Sequence, residues 1–287
     1  QPGGRRPAHP GVQAGRGCVN TCSFCSIACL YKGTYHKRPI EDVIRDIKAV
    51  KAQGFRQFLL LDDNLLSDRS YSLALCKALK PLKMRWMTQC EITVGGDPEL
   101  LEAMATSGCF ALSFGLESIS QESLDTLEKP WAKVDHYEAW LNAIRSHGIA
   151  LSTEMVIGAD GDTLESIEKT AEMMAQWKIA VPRFYILTPI PGTLFFQQMA
   201  TSDRLYNKDV YQYTGDKAVH VPKNMSPEAL TAAYWQLYKE VYSFRQIIRR
   251  TLFSAHALKY PIRTLFYLYV NLYYRHHIHL GITPNII

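Results

Sequence analysis

The residues best suited to chemistry are Cys18, Cys22 and Cys25, spaced C-x3-C-x2-C along Cys18-Val19-Asn20-Thr21-Cys22-Ser23-Phe24-Cys25, with Gly15 and Gly17 just before them. Three thiolates this close can hold three corners of a [4Fe–4S] cube and leave the fourth iron open to another molecule. Cys29 permits a second register, C-x2-C-x3-C over Cys22, Cys25 and Cys29. Structural zinc normally takes two C-x2-C pairs or cysteines with histidines at set spacing, and the nearest histidine, His36, is well downstream. Seven cysteines in 287 residues are too few, and oddly numbered, for a small disulfide scaffold. Cys76, Cys90 and Cys109 sit in apolar contexts where a free cysteine is a small core residue.

Positioning such a loop needs a scaffold, and the composition supplies one. At 47% hydrophobic and 21% charged residues the chain can bury the core of one large α/β domain, or of a barrel with an appendage. The net charge of +5 is dispersed, which gives no support to nucleic-acid binding and leaves an acidic substrate open. No apolar run reaches bilayer length, and Gln1 to Pro10 lacks a signal-peptide core, so the expected compartment is the reducing cytoplasm. A chain opening on Gln1 instead of Met points to a native start further upstream, with room there for another domain.

Short β-branched or aromatic runs alternate with amphipathic ones as far as Pro191, the pattern of repeated βα units and a parallel sheet. The strands are expected at Val12–Ala14, Gln57–Leu61, Arg85–Gln89, Phe110–Phe114, Leu151–Ile157 and Arg183–Leu187. Helices fill the gaps: one behind Pro39, one behind Asp68, one opened by Asp97-Pro98 and closed by Gly108, and one stopped by Gly148. Asp162 with Glu165 reads as a capping box for the next. Six strands with intervening helices suit a partial (β/α)6 TIM-like barrel over residues 1–195, followed by a mainly helical extension over 196–287. In that extension Ser226-Pro227 opens a long helix whose apolar seam runs Leu230, Tyr234, Leu237, Val241, Phe244 and Ile248. The aromatic, arginine-bearing remainder either covers the barrel mouth or makes peripheral membrane contact as a basic amphipathic element. His276, His277 and His279 have no nearby carboxylate or cysteine companion and should lie in solvent.

Ligands of parallel barrels collect at the carboxyl ends of the strands. Asp62-Asp63-Asn64 ends the apolar run Phe58-Leu59-Leu60-Leu61, and charges placed there need a partner, either a ligand or a turn to cap. Gln89 and Glu117 are polar exits from the third and fourth strands. Alternation along the fifth strand could aim Glu154 into the barrel, and Tyr185 on the sixth would share that space.

The cysteine spacing, with the aromatic Phe24 before the last thiol, resembles the signature of the radical S-adenosylmethionine superfamily. The order of the Asp-Asp-Asn, Gly-Leu-Glu-Ser and Met-Ser-Pro-Glu segments is similar to the subclass usually carrying a cobalamin-binding domain, which includes hopanoid methylases and the anaerobic magnesium-protoporphyrin ester cyclase. The resemblance runs from about Gly11 to Phe244 and favours Cys18, Cys22 and Cys25 as the ligands of a [4Fe–4S] cluster. It implies reductive cleavage of S-adenosylmethionine and hydrogen abstraction from a small or lipid-like substrate. Phe24, Asp62, Asp63, Asn64, Gln89 and Glu117 would then contact the cofactor, Glu154 and Tyr185 would face the substrate, and flavodoxin or ferredoxin would donate the electron. C-methylation is the expected outcome, with oxidative cyclisation or rearrangement as the alternative, and a non-catalytic iron–sulfur electron-transfer module as a reading from another class. No Asp-x-His-x-x-Gly corrin-ligand motif occurs, so cobalamin would need an upstream domain.

Overall fold

Buried strands need hydrogen-bond partners for the backbone and apolar side chains on the covered face. The computed structural model describes residues 10–253 and 257–284. In chain order the elements are β1 (Gly11–Val12), β2 (Gly15–Gly17), α1 (Ser26–Tyr31), β3 (Tyr35–Lys37), α2 (Ile40–Ala52), β4 (Gln57–Leu60), α3 (Arg69–Leu79), β5 (Arg85–Gln89), α4 (Pro98–Thr106) and β6 (Cys109–Glu117). There follow α5 (Gln121–Thr126), α6 (Val134–Ser146), β7 (Ala150–Ile157), α7 (Leu164–Gln176), β8 (Pro182–Ile186), α8 (Leu194–Thr201), α9 (Pro227–Val241), α10 (Phe244–Thr251) and α11 (Pro261–His279).

The main sheet has the strand order β1-β4-β5-β6-β7-β8, and β2 pairs with β3 in a separate antiparallel ribbon. The six main strands are those expected, each within a few residues; the ribbon was not foreseen. The described residues divide into two compact units: residues 10–20, 30–114 and 139–151 in one, residues 21–29, 115–138, 152–253 and 257–284 in the other.

In the first unit β1, β4, β5 and β6 pair in parallel, with Phe58 opposite Trp86 and Leu60 opposite Thr88. Phe58, Leu60 and Trp86 are buried, together with Val43 and Ile47 of α2 and Leu75, Cys76 and Leu79 of α3. Burial pushes the Cys76 thiol up to about 11, in keeping with a core residue. Asp68 caps α3 by accepting from Tyr71 N, and Asp97 caps α4 by accepting from Leu100 N. Gly108 ends α4 at φ +104°, where an added Cβ would lie 2.1 Å from Met84 O.

In the second unit β7 and β8 pair in parallel, Glu154 opposite Arg183 and Val156 opposite Tyr185. Thr153, Met155, Ile157, Phe184 and Ile186 form the buried face, while Glu154, Arg183 and Tyr185 alternate onto the other, half-buried one. β8 is an edge strand, and α9 with its C-terminal cap Tyr242 closes it chemically. Tyr238 Oη accepts from Phe184 N at 3.0 Å and donates to Phe184 O at 3.2 Å, while Tyr242 Oη donates to Pro182 O at 2.7 Å. Ile186 N, on the same edge, finds Gly215 O at 2.7 Å.

Two expectations are corrected. The α7 cap is Thr163, whose hydroxyl accepts from Ser166 N in a reciprocal box; Asp162 is drawn away to the donors of a buried turn. The long C-terminal helix breaks after Val241, because Ser243 caps a new helix and leaves Phe244 and Ile248 exposed instead of continuing the seam. Of the three histidines, His276 and His279 are exposed, while His277 is half-buried against Tyr273.

Gly108→Ala forces a side chain into left-handed backbone against a carbonyl oxygen. It should cost at least about 1–3 kcal/mol from the backbone conformation alone, read as a lower urea midpoint with an unchanged slope; a midpoint equal to the parent's would refute the close approach.

Candidate active site

The cysteine loop is held by carboxylates from the end of β4. Asp62, 3% exposed, accepts from Ala14 N at 3.0 Å, Gly15 N at 2.8 Å and Tyr35 Oη at 3.1 Å. Burial is the main reason its carboxyl is raised above the ordinary range, and the backbone N–H groups oppose that shift. Asp63 accepts from Gly17 N at 2.7 Å. These bonds generate the β2–β3 ribbon: Tyr35 on β3 and Gly15 on β2 converge on one carboxylate. Gly15 must be glycine there, since a Cβ would fall within 2.6 Å of the Tyr35 ring and hydroxyl. Gly17 has φ +89° and Thr34 O lies where its Cβ would be, so the chain enters the cysteines through a turn closed to other residues.

Asn64 caps the turn that follows by accepting from Leu66 N, and its Nδ2 reaches Cys18 Sγ at 3.4 Å. Asn20 N also donates to Cys18 Sγ, at 3.5 Å. Glu91, which the sequence reading overlooked, accepts from Asn20 Nδ2 at 2.8 Å and from Asn64 Nδ2. Gln89 stands exposed at the carboxyl end of β5.

In the second unit Cys22 and Cys25 are half-buried, and Cys29, at the end of one helical turn from Cys25, donates to Gly192 O at 2.9 Å. Ser23 anchors this stretch through N to Leu127 O and through O to Phe195 N. Phe24 packs on a cluster of Leu127, Ala159, Leu187, Phe195 and Met199. Glu117, at φ +62°, folds back over Gly115, where any Cβ would be 1.9 Å from its Oε1. It pairs with Lys129 Nζ at 2.7 Å, both side chains 10% exposed, and Lys129 also donates to Gly115 O. Lys129 lies in a loop without periodicity, where no local pattern marks it. Asp162 sits beside this pair on a small cavity, accepting from Gly158 N, Ala159 N and Ser123 Oγ. Glu154 is paired to Arg183, with Tyr185 next to them on the same face; the register of two parallel strands was the signal available for Arg183.

Two groupings of the expected residues therefore emerge within the units: Asp62, Asp63 and Asn64 with Cys18 in the first, and Glu154 with Tyr185 in the second. Among the described residues no three His, Cys, Asp or Glu side chains gather at metal-binding distance. What fits iron is the donor set. None of the seven thiols is in a disulfide, and Cys18 Sγ already accepts two N–H groups, as a thiolate ligand would.

A family model for the radical SAM superfamily matches residues 12–174, more than half of the chain. The chain belongs to that superfamily. Radical SAM enzymes work with a [4Fe–4S] cluster and S-adenosylmethionine. A bacteriochlorophyllide d C-12(1)-methyltransferase of Chlorobaculum tepidum is 29% identical over 83% of this chain and 53% of its own length. An anaerobic magnesium-protoporphyrin IX monomethyl ester cyclase of Cereibacter sphaeroides is 29% identical over 80% of this chain and 37% of its own. The chain thus spans about half, or less, of the length of these relatives. Among solved structures, the radical S-adenosylmethionine methyltransferase TsrM of Kitasatospora setae, with cobalamin and a [4Fe–4S] cluster bound, has a TM-score of 0.63 at 18% identity, covering 68% of this chain and 39% of that one. The cobalamin-dependent radical enzyme OxsB with aqua-cobalamin bound scores 0.59 at 10% identity, covering 92% and 46%. At these identities the likeness is one of radical SAM fold.

The Glu117–Lys129 pair is buried enough that one partner cannot be left alone. Lys129→Met should destabilise by about 3–5 kcal/mol, and adding Glu117→Gln should recover much of it. Chemical denaturation of the two variants checks this, and equal losses in both would show that the pair is not coupled.

Proposed function

We propose that Cys18, Cys22 and Cys25 hold a [4Fe–4S] cluster and that the enzyme methylates carbon on a small or lipid-like substrate. The observation that carries the reading is the C-x3-C-x2-C loop inside the matched residues 12–174. Bound there, the cluster supplies the electron that cleaves S-adenosylmethionine and so initiates hydrogen abstraction. The chain's own part is positioning: Asp62 and Asp63 fix the backbone before Cys18, and Phe24 carries the apolar packing that keeps water from the loop. Gln89, exposed at a strand end, and Glu117, oriented by Lys129, are assigned to cofactor contacts. Glu154, Arg183 and Tyr185 form a polar row for the substrate; with Glu154 and Arg183 neutralising each other, the row suits a neutral or weakly polar group better than a free anion. Flavodoxin or ferredoxin is the proposed electron donor, and the reducing cytoplasm the proposed setting.

Methyl transfer is preferred because the chain is 29% identical to a bacteriochlorophyllide methyltransferase. A cyclase relative at the same identity supports oxidative cyclisation as the second reading. Cobalamin enters only through a domain outside the sequence described here.

Anaerobic reconstitution with iron and sulfide should give a [4Fe–4S] spectrum that Cys18→Ala, Cys22→Ala and Cys25→Ala each abolish and Cys29→Ala leaves intact. With dithionite and S-adenosylmethionine the loaded protein should release 5′-deoxyadenosine. A fully loaded protein that releases none would overturn the enzyme assignment, and loss of the cluster in Cys29→Ala with its retention in Cys18→Ala would move the ligands to the second register.

Among the described residues no helix is long and apolar enough to cross a membrane. α11 buries Val270, Tyr274 and Ile278 but exposes Ile262, Leu265, Phe266, Tyr269 and Leu272 along its opposite side. With Lys259, Arg263 and Arg275 close in sequence, this row is the proposed site of peripheral contact with anionic lipid. The chain should sediment with anionic but not neutral liposomes, and Leu265→Glu with Phe266→Glu should release it; equal recovery from both lipids would reject the contact.

A further inference from the structure

We infer that Asn64, held in place by Glu91, tunes the reduction potential of the cluster by donating an N–H to the Cys18 sulfur. The inference rests on Cys18 being an iron ligand, as proposed above. Asn64 is 3% exposed, and both the oxygen and the nitrogen of its amide are hydrogen-bonded. Oδ1 accepts from Leu66 N at 3.2 Å, which fixes the orientation of the amide. The two Nδ2 hydrogens then go to Cys18 Sγ at 3.4 Å and to Glu91 Oε1. The same Glu91 oxygen takes Asn20 Nδ2 at 2.8 Å, and Thr93 Oγ1 donates to Oε2 at 3.3 Å. Asn20 in turn sends its backbone N–H to Cys18 Sγ at 3.5 Å. One carboxylate therefore ties down both residues that donate to one sulfur, and all of these contacts lie within the first unit.

An N–H bond to a thiolate ligand stabilises the reduced, more negative cluster more than the oxidised one, so it raises the potential. The bond is strengthened where water is excluded. A residue needed only as a turn cap would ask for an oxygen at this position, and serine or aspartate supplies one as well as asparagine does. Neither can donate to the sulfur from a side-chain nitrogen. Glu91 and Asn64 are thus positioning residues for the cluster, acting through Cys18.

The test is an anaerobic redox titration, followed by electron paramagnetic resonance, of the reconstituted full chain and of Asn64→Ser and Asn64→Asp. Both variants should keep the cluster and titrate at a more negative potential than the parent, Asn64→Asp further than Asn64→Ser because it adds a negative charge. Potentials equal to the parent's in both variants would overturn the inference. So would loss of the cluster from both, which would make Asn64 a structural cap. If Cys18→Ala kept the parent's cluster and potential, the ligand assignment itself would fail, a result separate from either of these.

Discussion

A carboxylate buried where an apolar strand ends must be surrounded by donors, and the donors Asp62 finds are the backbone of the segment that leads into the cysteines. Leaving it unsatisfied would cost on the order of 1–3 kcal/mol. Satisfying it instead draws Ala14, Gly15 and Tyr35 to one point. The β2–β3 ribbon, the glycine at position 15 and the left-handed turn at Gly17 all follow from that convergence. A loop that would otherwise sample many conformations enters Cys18 along one path, so part of the ordering entropy of metal binding is met before iron arrives.

Much of this architecture could be read in the chain. Each of the six main strands was announced by a short apolar run stopped by polar or glycine residues, and Asp68 and Asp97 announced their helices by side-chain chemistry that needs no tertiary partner. The ribbon escaped because Gly15-Arg16-Gly17 and Tyr35-His36-Lys37 have no alternation to detect; a carboxylate 25 or more residues away in sequence makes them strands. The misplaced α7 cap has a similar cause. Asp162 is a good cap by type, but two backbone N–H groups and a buried serine hydroxyl compete for it, and Thr163 is left to start the helix.

The candidate site divides along the same line. Gln89 and Glu117 at strand ends, and Glu154 within a strand, were visible because a polar group interrupting an apolar pattern is a local signal. Their partners were not. Lys129 and Glu91 are recruited across turns whose course no local pattern fixes, and Arg183 becomes a partner of Glu154 only once the register of β7 and β8 is known. Reading a site from sequence thus recovers the groups that need partners better than the groups that satisfy them.

The aromatic residues of α9, whose repeat reads as an ordinary packing seam, carry a further meaning. Every outward-facing hydrogen-bonding group of β8 from Pro182 O to Ile186 N is occupied, three by tyrosine hydroxyls and one by a loop carbonyl. No additional strand, from this chain or a neighbouring copy, can dock along that margin without first displacing a phenol. That edge of the sheet is thereby sealed by side chains, and a further strand could join only at the opposite edge, along β1.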